Sequence, residues 1–128
     1  MVRCDRVRSD RGAHPLTIRT ITVPVKDLAA ATALYKTLLG TDPYVDQPYY
    51  VGFRPEGSPE IGLDPHGDVT AGPITYYHVS DIEASIGELT GLGASVERSP
   101  RDVGGGTLTA TVRDADGNLI GPFQAPAA

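Results

Sequence analysis

Two stretches of the chain carry apolar residues at helical spacing, and each follows a run with strand character. Leu28, Ala31, Tyr35 and Leu38 recur at three- to four-residue intervals, as do Ile82, Ile86, Leu89 and Leu92. Such spacing lines one face of an α-helix. Residues 16–25 and 74–79 are rich in β-branched and aromatic side chains and read as strands. Val25-Lys26-Asp27-Leu28 and Val79-Ser80-Asp81-Ile82 mark the two strand-to-helix junctions, 54 residues apart. Asp27 and Asp81 are placed to cap the helices, accepting hydrogen bonds from free backbone N–H groups. Gly40 and Gly93 stand where each helix would end in a left-handed turn.

Short strands follow each helix, separated by Pro, Gly and Asp turns. The first half gives 44–46, 49–54 and 60–64; the second gives 95–98, 107–113 and 119–124. The unit is β-α-β-β-β, and it occurs twice. The predicted class is α+β, with two tandem modules (15–66 and 72–125) in one domain over 15–126, joined by a link rich in Pro, Gly and Asp. About 55 residues bury too little surface to stand alone. Each curved sheet keeps one face for its helix, so the other face must meet a ligand, the second module or another chain. A half-barrel cleft lined by alternate strand residues is expected.

Composition narrows the function. The 128 residues are 40% hydrophobic and 21% charged, with a net charge of −5. That balance gives no support for nucleic-acid binding. No apolar run approaches the roughly 20 residues of a membrane span, and no secretory h-region opens the chain. Cys4 is the sole cysteine, so an internal disulfide framework is impossible and a cytoplasmic location is expected. Residues 1–14 hold four Arg and two Asp without apolar period and are read as a disordered tail. The remainder holds seven basic and fourteen acidic residues, a balance that would suit a cationic ligand.

The junction Val25-Lys26-Asp27-Leu28 followed by Leu34-Tyr35-Lys36-Thr37-Leu38-Leu39-Gly40 resembles the first helix of the glyoxalase/bleomycin-resistance (vicinal oxygen chelate) superfamily. Val79-Ser80-Asp81-Ile82 with Leu92-Gly93-Ala94 resembles its second helix. Asp114-Ala115-Asp116-Gly117-Asn118-Leu119-Ile120 resembles its closing hairpin and last strand. The likeness covers about residues 16–124. It implies a cleft in which the family's enzymes, glyoxalase I and the extradiol dioxygenases among them, hold a divalent metal through His, Glu or Gln. By resemblance those positions fall here on Thr20, Gly62, Ile74 and Gly121. None is a usual metal ligand. A one-residue slip would not help, because strand neighbours face opposite ways.

Other chemistry is sparse. Glu60 and Asp64 share strand parity with Gly62, and His78 shares parity with Ile74 and Tyr76. A divalent site from Glu60, Asp64 and His78 is the alternative cofactor reading; the main reading has no cofactor. His66 sits in a Pro-Gly loop, His14 in the tail. Asp114-Ala115-Asp116-Gly117-Asn118 starts like a calcium loop, but Gly stands fourth rather than sixth and Ala125 takes the place of Glu. A tight hairpin explains it better. Gly104-Gly105-Gly106 lacks the Lys-Ser/Thr of a phosphate loop and reads as a hairpin over the cleft mouth. Cys4 has no positioned base.

The aromatics are more suggestive. Tyr76, one of Tyr49 and Tyr50, and Phe123 would line an apolar pocket with Ile18, Thr20 and Thr22, while Tyr77 belongs to the helix-packing face. The expected ligand-binding set is Thr20, Thr22, Tyr49, Tyr50, Ile74, Tyr76, His78 and Phe123. The expected function is metal-independent binding of a small aromatic or cationic molecule, in a homodimer as the resemblance implies. The alternative is a lyase, isomerase or dioxygenase using non-standard residues, with His78, Glu60 or Tyr76 as acid/base. A third reading is an interaction module whose cleft is filled by its own side chains.

Overall fold

A computed structural model describes residues 17–126. The predicted tail, with Cys4 and His14, lies outside the described residues. Eight strands and two helices alternate as the repeat requires: β1 (Ile18–Pro24), α1 (Leu28–Leu39), β2 (Val45–Gln47), β3 (Tyr50–Phe53) and β4 (Glu60–Asp64), then β5 (Ile74–His78), α2 (Ile82–Gly91), β6 (Ser95–Asp102), β7 (Leu108–Arg113) and β8 (Leu119–Gln124). A short 3₁₀ turn, Val69–Ala71, lies in the link.

One mixed sheet carries all eight strands in the order β2-β3-β4-β1-β5-β8-β7-β6. Each module contributes four neighbouring strands. In each, the strand before the helix pairs in parallel with the module's last strand, β1 with β4 and β5 with β8. The modules join where β1 meets β5 antiparallel, with Thr20 opposite Tyr76 and Thr22 opposite Ile74.

Helix ends follow the expected chemistry. Asp27 accepts from the Ala30 N–H at 3.0 Å and Asp81 from the Ala84 N–H at 3.1 Å. Gln124 adds a second N-terminal acceptor, taking the Ile82 N–H at 2.7 Å. Gly40 closes α1 at φ 69°, a left-handed conformation that costs most L-residues energy. α2 ends differently: Leu92 is its cap, and Gly93 follows at φ 109°. Gly117, at φ 87°, turns the β7–β8 hairpin while Asp114 accepts from the Asp116 and Asn118 N–H groups.

Each helix covers its own module's core. Val51, Phe53 and Leu63 are buried beneath Leu28, Ala31, Tyr35 and Leu39 of α1. Ala110 and Val112 are buried with Ile82 and Ile86 of α2, with Leu89 and Ile120 packed on them. Two predicted helix-face residues fall outside this packing. Leu38 is 70% exposed and Leu92 86% exposed. Leu38, ten residues from Leu28, is most of a right angle off the buried stripe, whereas Leu39, eleven from Leu28, returns to it; Leu92 lies past the end of α2, as its cap. The predicted strands all stand: 60–64 and 119–124 keep their ends, the others shift, and β6 runs on to Asp102 rather than stopping at 98.

Candidate functional site

Strand parity sends Val51 and Phe53, Leu63, and Ala110 and Val112 toward the helices. Their neighbours Tyr50, Gly62, Thr109 and Thr111 turn to the opposite, concave face. A cavity of about 460 Å³ opens there, floored by Thr20, Thr22 and Tyr76, with Tyr50 and Glu60 on one side and Arg98 and Thr109 on the other. A second hollow of about 340 Å³, bounded by Ile74, Thr111 and Leu119, shares Thr22, Asp64 and Arg98 with the first.

Glu60 anchors the first-module wall. It is only 7% exposed, and a buried carboxyl needs partners. Tyr50 donates its hydroxyl to Oε2 at 2.5 Å and Tyr44 donates to Oε1 at 2.7 Å. Arg19 bonds Oε1 at 3.2 Å, and Arg54 stands 3.9 Å from the same oxygen. Arg54 also donates to the Tyr44 hydroxyl at 3.0 Å and lies over the Tyr44 ring, 4.1 Å from its centroid. Burial and the bond to Glu60 push the Tyr50 phenol well above its ordinary range, and the same two causes also raise Tyr44. Both phenols therefore remain donors at neutral pH.

Two glycines make room for aromatic rings. A Cβ built on Gly62 would lie 2.1 Å from the Tyr50 hydroxyl, and one on Gly121 would lie 2.3 Å from Tyr76 Cδ1. Tyr50 crosses the bare backbone of residue 62 to reach Glu60. Tyr76, opposite Gly121 in the parallel β5–β8 pair, lies flat on the second module. The two positions are equivalent in the repeat: Gly62 pairs across from Thr22, and Gly121 from Tyr76, its counterpart 54 residues on.

Of the residues singled out from sequence, Thr20, Thr22, Tyr50, Tyr76, Phe123 and Glu60 line the larger cavity. Ile74 lines the adjoining hollow. Tyr49 stays outside, 62% exposed at the β2–β3 turn, and Tyr50 takes the inward place. His78 sits apart, beside a small recess with Ile18, Arg54 and Glu60, its ring edge-on to Phe123 at 5.4 Å. Ile18 leaves the predicted pocket because β1 bulges at Arg19: Ile18 pairs with Tyr77 and Thr20 with Tyr76. Tyr77 lines a hollow together with Ser85 and Leu89 of α2, on the helix side as predicted.

Arg19, Arg98 and Arg101 escape sequence reasoning. The extra residue in β1 re-aims Arg19 toward Glu60 and over the Phe123 ring, 5.3 Å from its centroid. In β6, Arg98 pairs with Thr111 and Arg101 with Thr109, three residues set against two. That bulge puts both arginines on the cleft face, where strict alternation would part them.

The four positions that the resemblance assigns to a metal do not suit one. Thr20 and Ile74 offer neither carboxylate nor imidazole, and the space at Gly62 and Gly121 belongs to tyrosine rings. Among the described residues, no three His, Cys, Asp or Glu side chains gather as a metal-holding group, and Glu60, Asp64 and His78 form none.

A doubled βαβββ sheet curved around an open cleft defines the class of protein. The chain belongs to the Glyoxalase/Bleomycin resistance protein/Dioxygenase superfamily, whose sequence model matches residues 17–121. Solved structures share the fold. A superfamily member from Vibrio splendidus 12B01 is 19% identical with a TM-score of 0.64, the match covering 84% of this chain and 98% of that one. Methylmalonyl-CoA epimerase from Mycobacterium tuberculosis is 21% identical at TM-score 0.63, covering 91% and 96%. A Legionella pneumophila protein described as an NAD-dependent benzaldehyde dehydrogenase is 19% identical at TM-score 0.66, covering 82% and 96%. Identity this low establishes the fold, and one fold hosts many functions. Comparison with curated proteins finds no match. No helix among the described residues is long and apolar enough to cross a membrane.

Proposed function

We propose that this protein binds a small, partly aromatic molecule in its cleft without metal coordination. The observation that carries this reading is the placement of the Tyr50 and Tyr76 rings over Gly62 and Gly121. Where the family's enzymes present chelating side chains, this chain presents aromatic faces and hydroxyls. The two hollows, about 460 and 340 Å³, are of the size that takes small molecules (roughly 300–1,000 Å³). Tyr76, Phe123 and Ile74 supply apolar area; Thr20 and Thr22 supply sparse polar contacts. That mixture orients a planar ligand.

The acid/base alternative has Glu60 as its best candidate. Both of its oxygens already accept hydrogen bonds from phenols, which suits a structural anchor better than a base that must take up a substrate proton. Val96 and Val103, 44% and 52% exposed on and beside edge strand β6, support the homodimer reading, which light scattering would test.

The test is a thermal-shift screen of aromatic acids, amides and amines with EDTA present. Ligand binding raises apparent stability by mass action. The proposal expects hits whose shift is lost in Tyr76→Ala. A flat profile across the screen contradicts it, and so does a set of hits indifferent to Tyr76.

A further inference from the structure

The cleft contains an arginine that its own protein leaves uncompensated. Arg98 reaches the concave face through the β6 bulge, and Nη2 makes long contacts with the Thr111 hydroxyl at 3.3 Å and the Thr109 hydroxyl at 3.5 Å. Its Nη1 is buried with no acceptor among the described residues. A buried donor without an acceptor is costly, more so when charged. Glu97, next in sequence, is taken by Arg113 at 2.8 Å. Asp64 lines the same cavity without forming an ion pair with Arg98 or Arg101. Across the cleft, Arg19 is already bound to Glu60.

The larger cavity therefore carries a sign opposite to that of the whole chain. Three arginines line the larger cavity against Glu60 and Asp64, although the protein is net −5. A guanidinium presents paired N–H donors in a planar fork that matches a carboxylate. We propose that Arg98, assisted by Arg101, forms an anion subsite that takes the carboxylate of a monoanionic aromatic acid. The ring of that acid lies on Tyr76. One surplus positive charge favours a monoanion over a dianion, and it opposes the cationic ligand that overall charge suggests. This inference rests on the cleft being a binding site and adds the chemical class of what is bound.

The experiment is calorimetric titration with 1-naphthoate, its neutral amide and 1-naphthyl phosphate, on the full chain and on Arg98→Gln. Arg98→Met serves as a second variant should glutamine disturb folding, with melting temperature as the check. The expected result is naphthoate bound at least roughly tenfold more tightly than the amide and than the phosphate, the size of a charge-assisted hydrogen bond. In both variants that preference collapses. Acid and amide bound equally, or a preference that survives both variants, overturns the anion subsite and leaves the binding function standing. A tighter phosphate overturns the monoanion. If no probe binds, the subsite and the binding function fall together.

Discussion

The Tyr50 hydroxyl stands 2.1 Å from where a Cβ on Gly62 would be, so the two residues are usable only as a pair. Any side chain at 62 must expel the Tyr50 ring, and with it the 2.5 Å hydrogen bond to Glu60. Gly62→Ala is expected to destabilise the fold by about 1–3 kcal/mol through overpacking. Tyr50→Phe with Gly62→Ala should cost less than the sum of the two single changes, because both break the same contact. Denaturant melts of the three variants check this; strict additivity would separate the residues.

Glu60 is the other end of that contact. Tyr50→Phe leaves Oε2 without its phenol donor, at a cost of about 1–3 kcal/mol. Glu60→Ala strips Arg19 and both phenols of their shared acceptor and should cost more than Tyr50→Phe. A Glu60→Ala protein as stable as the parent would show that the anchor contributes nothing.

Alkaline pH offers an independent reading of the same group. Burial and Glu60 hold the Tyr50 phenol above its ordinary value of 10.0. Above about pH 10 the unfolded chain gives up a proton that the folded chain keeps, so stability falls as pH rises. The slope is about 1.4 kcal/mol per pH unit for one retained proton. Below pH 10 the term is constant. The melting temperature followed from pH 8 to 11 should fall more steeply in the parent than in Tyr50→Phe. Parallel curves would contradict the assignment.

Leu38 and Leu39 separate the two faces of α1. Leu39→Ala should cost about 1–2 kcal/mol, less than a fully buried leucine, because Leu39 is partly buried against the Val51–Phe53–Leu63 core. Leu38→Ala should stay within about 0.5 kcal/mol, as exposed substitutions do. Chemical denaturation resolves a difference of that size.

The fold was legible because it is written twice. Two capped helices, each after a strand and before three more, leave few arrangements, and period-two alternation assigns Tyr76 to the cleft and Tyr77 to the helix. What alternation misses are its own interruptions. The β1 bulge at Arg19 and the β6 bulge between Arg98 and Arg101 turn three cations inward with no sequence signal beyond their presence in strands. The choice between Tyr49 and Tyr50 depended on where β3 begins, and a one-residue boundary decides a facing. Gly62 and Gly121 were visible as positions without ligands. Which rings lie over them follows only from packing between strands.

The central claim is that the cleft binds its ligand without an ion, and one measurement addresses it most directly. Calorimetric titration of an aromatic ligand found by screening is compared in EDTA and in added Mn²⁺, Ni²⁺ or Zn²⁺, alongside elemental analysis of protein purified without chelator. The account predicts substoichiometric metal and one affinity throughout. One tightly held ion per chain, with ligand binding abolished by EDTA and restored by that ion, would contradict it.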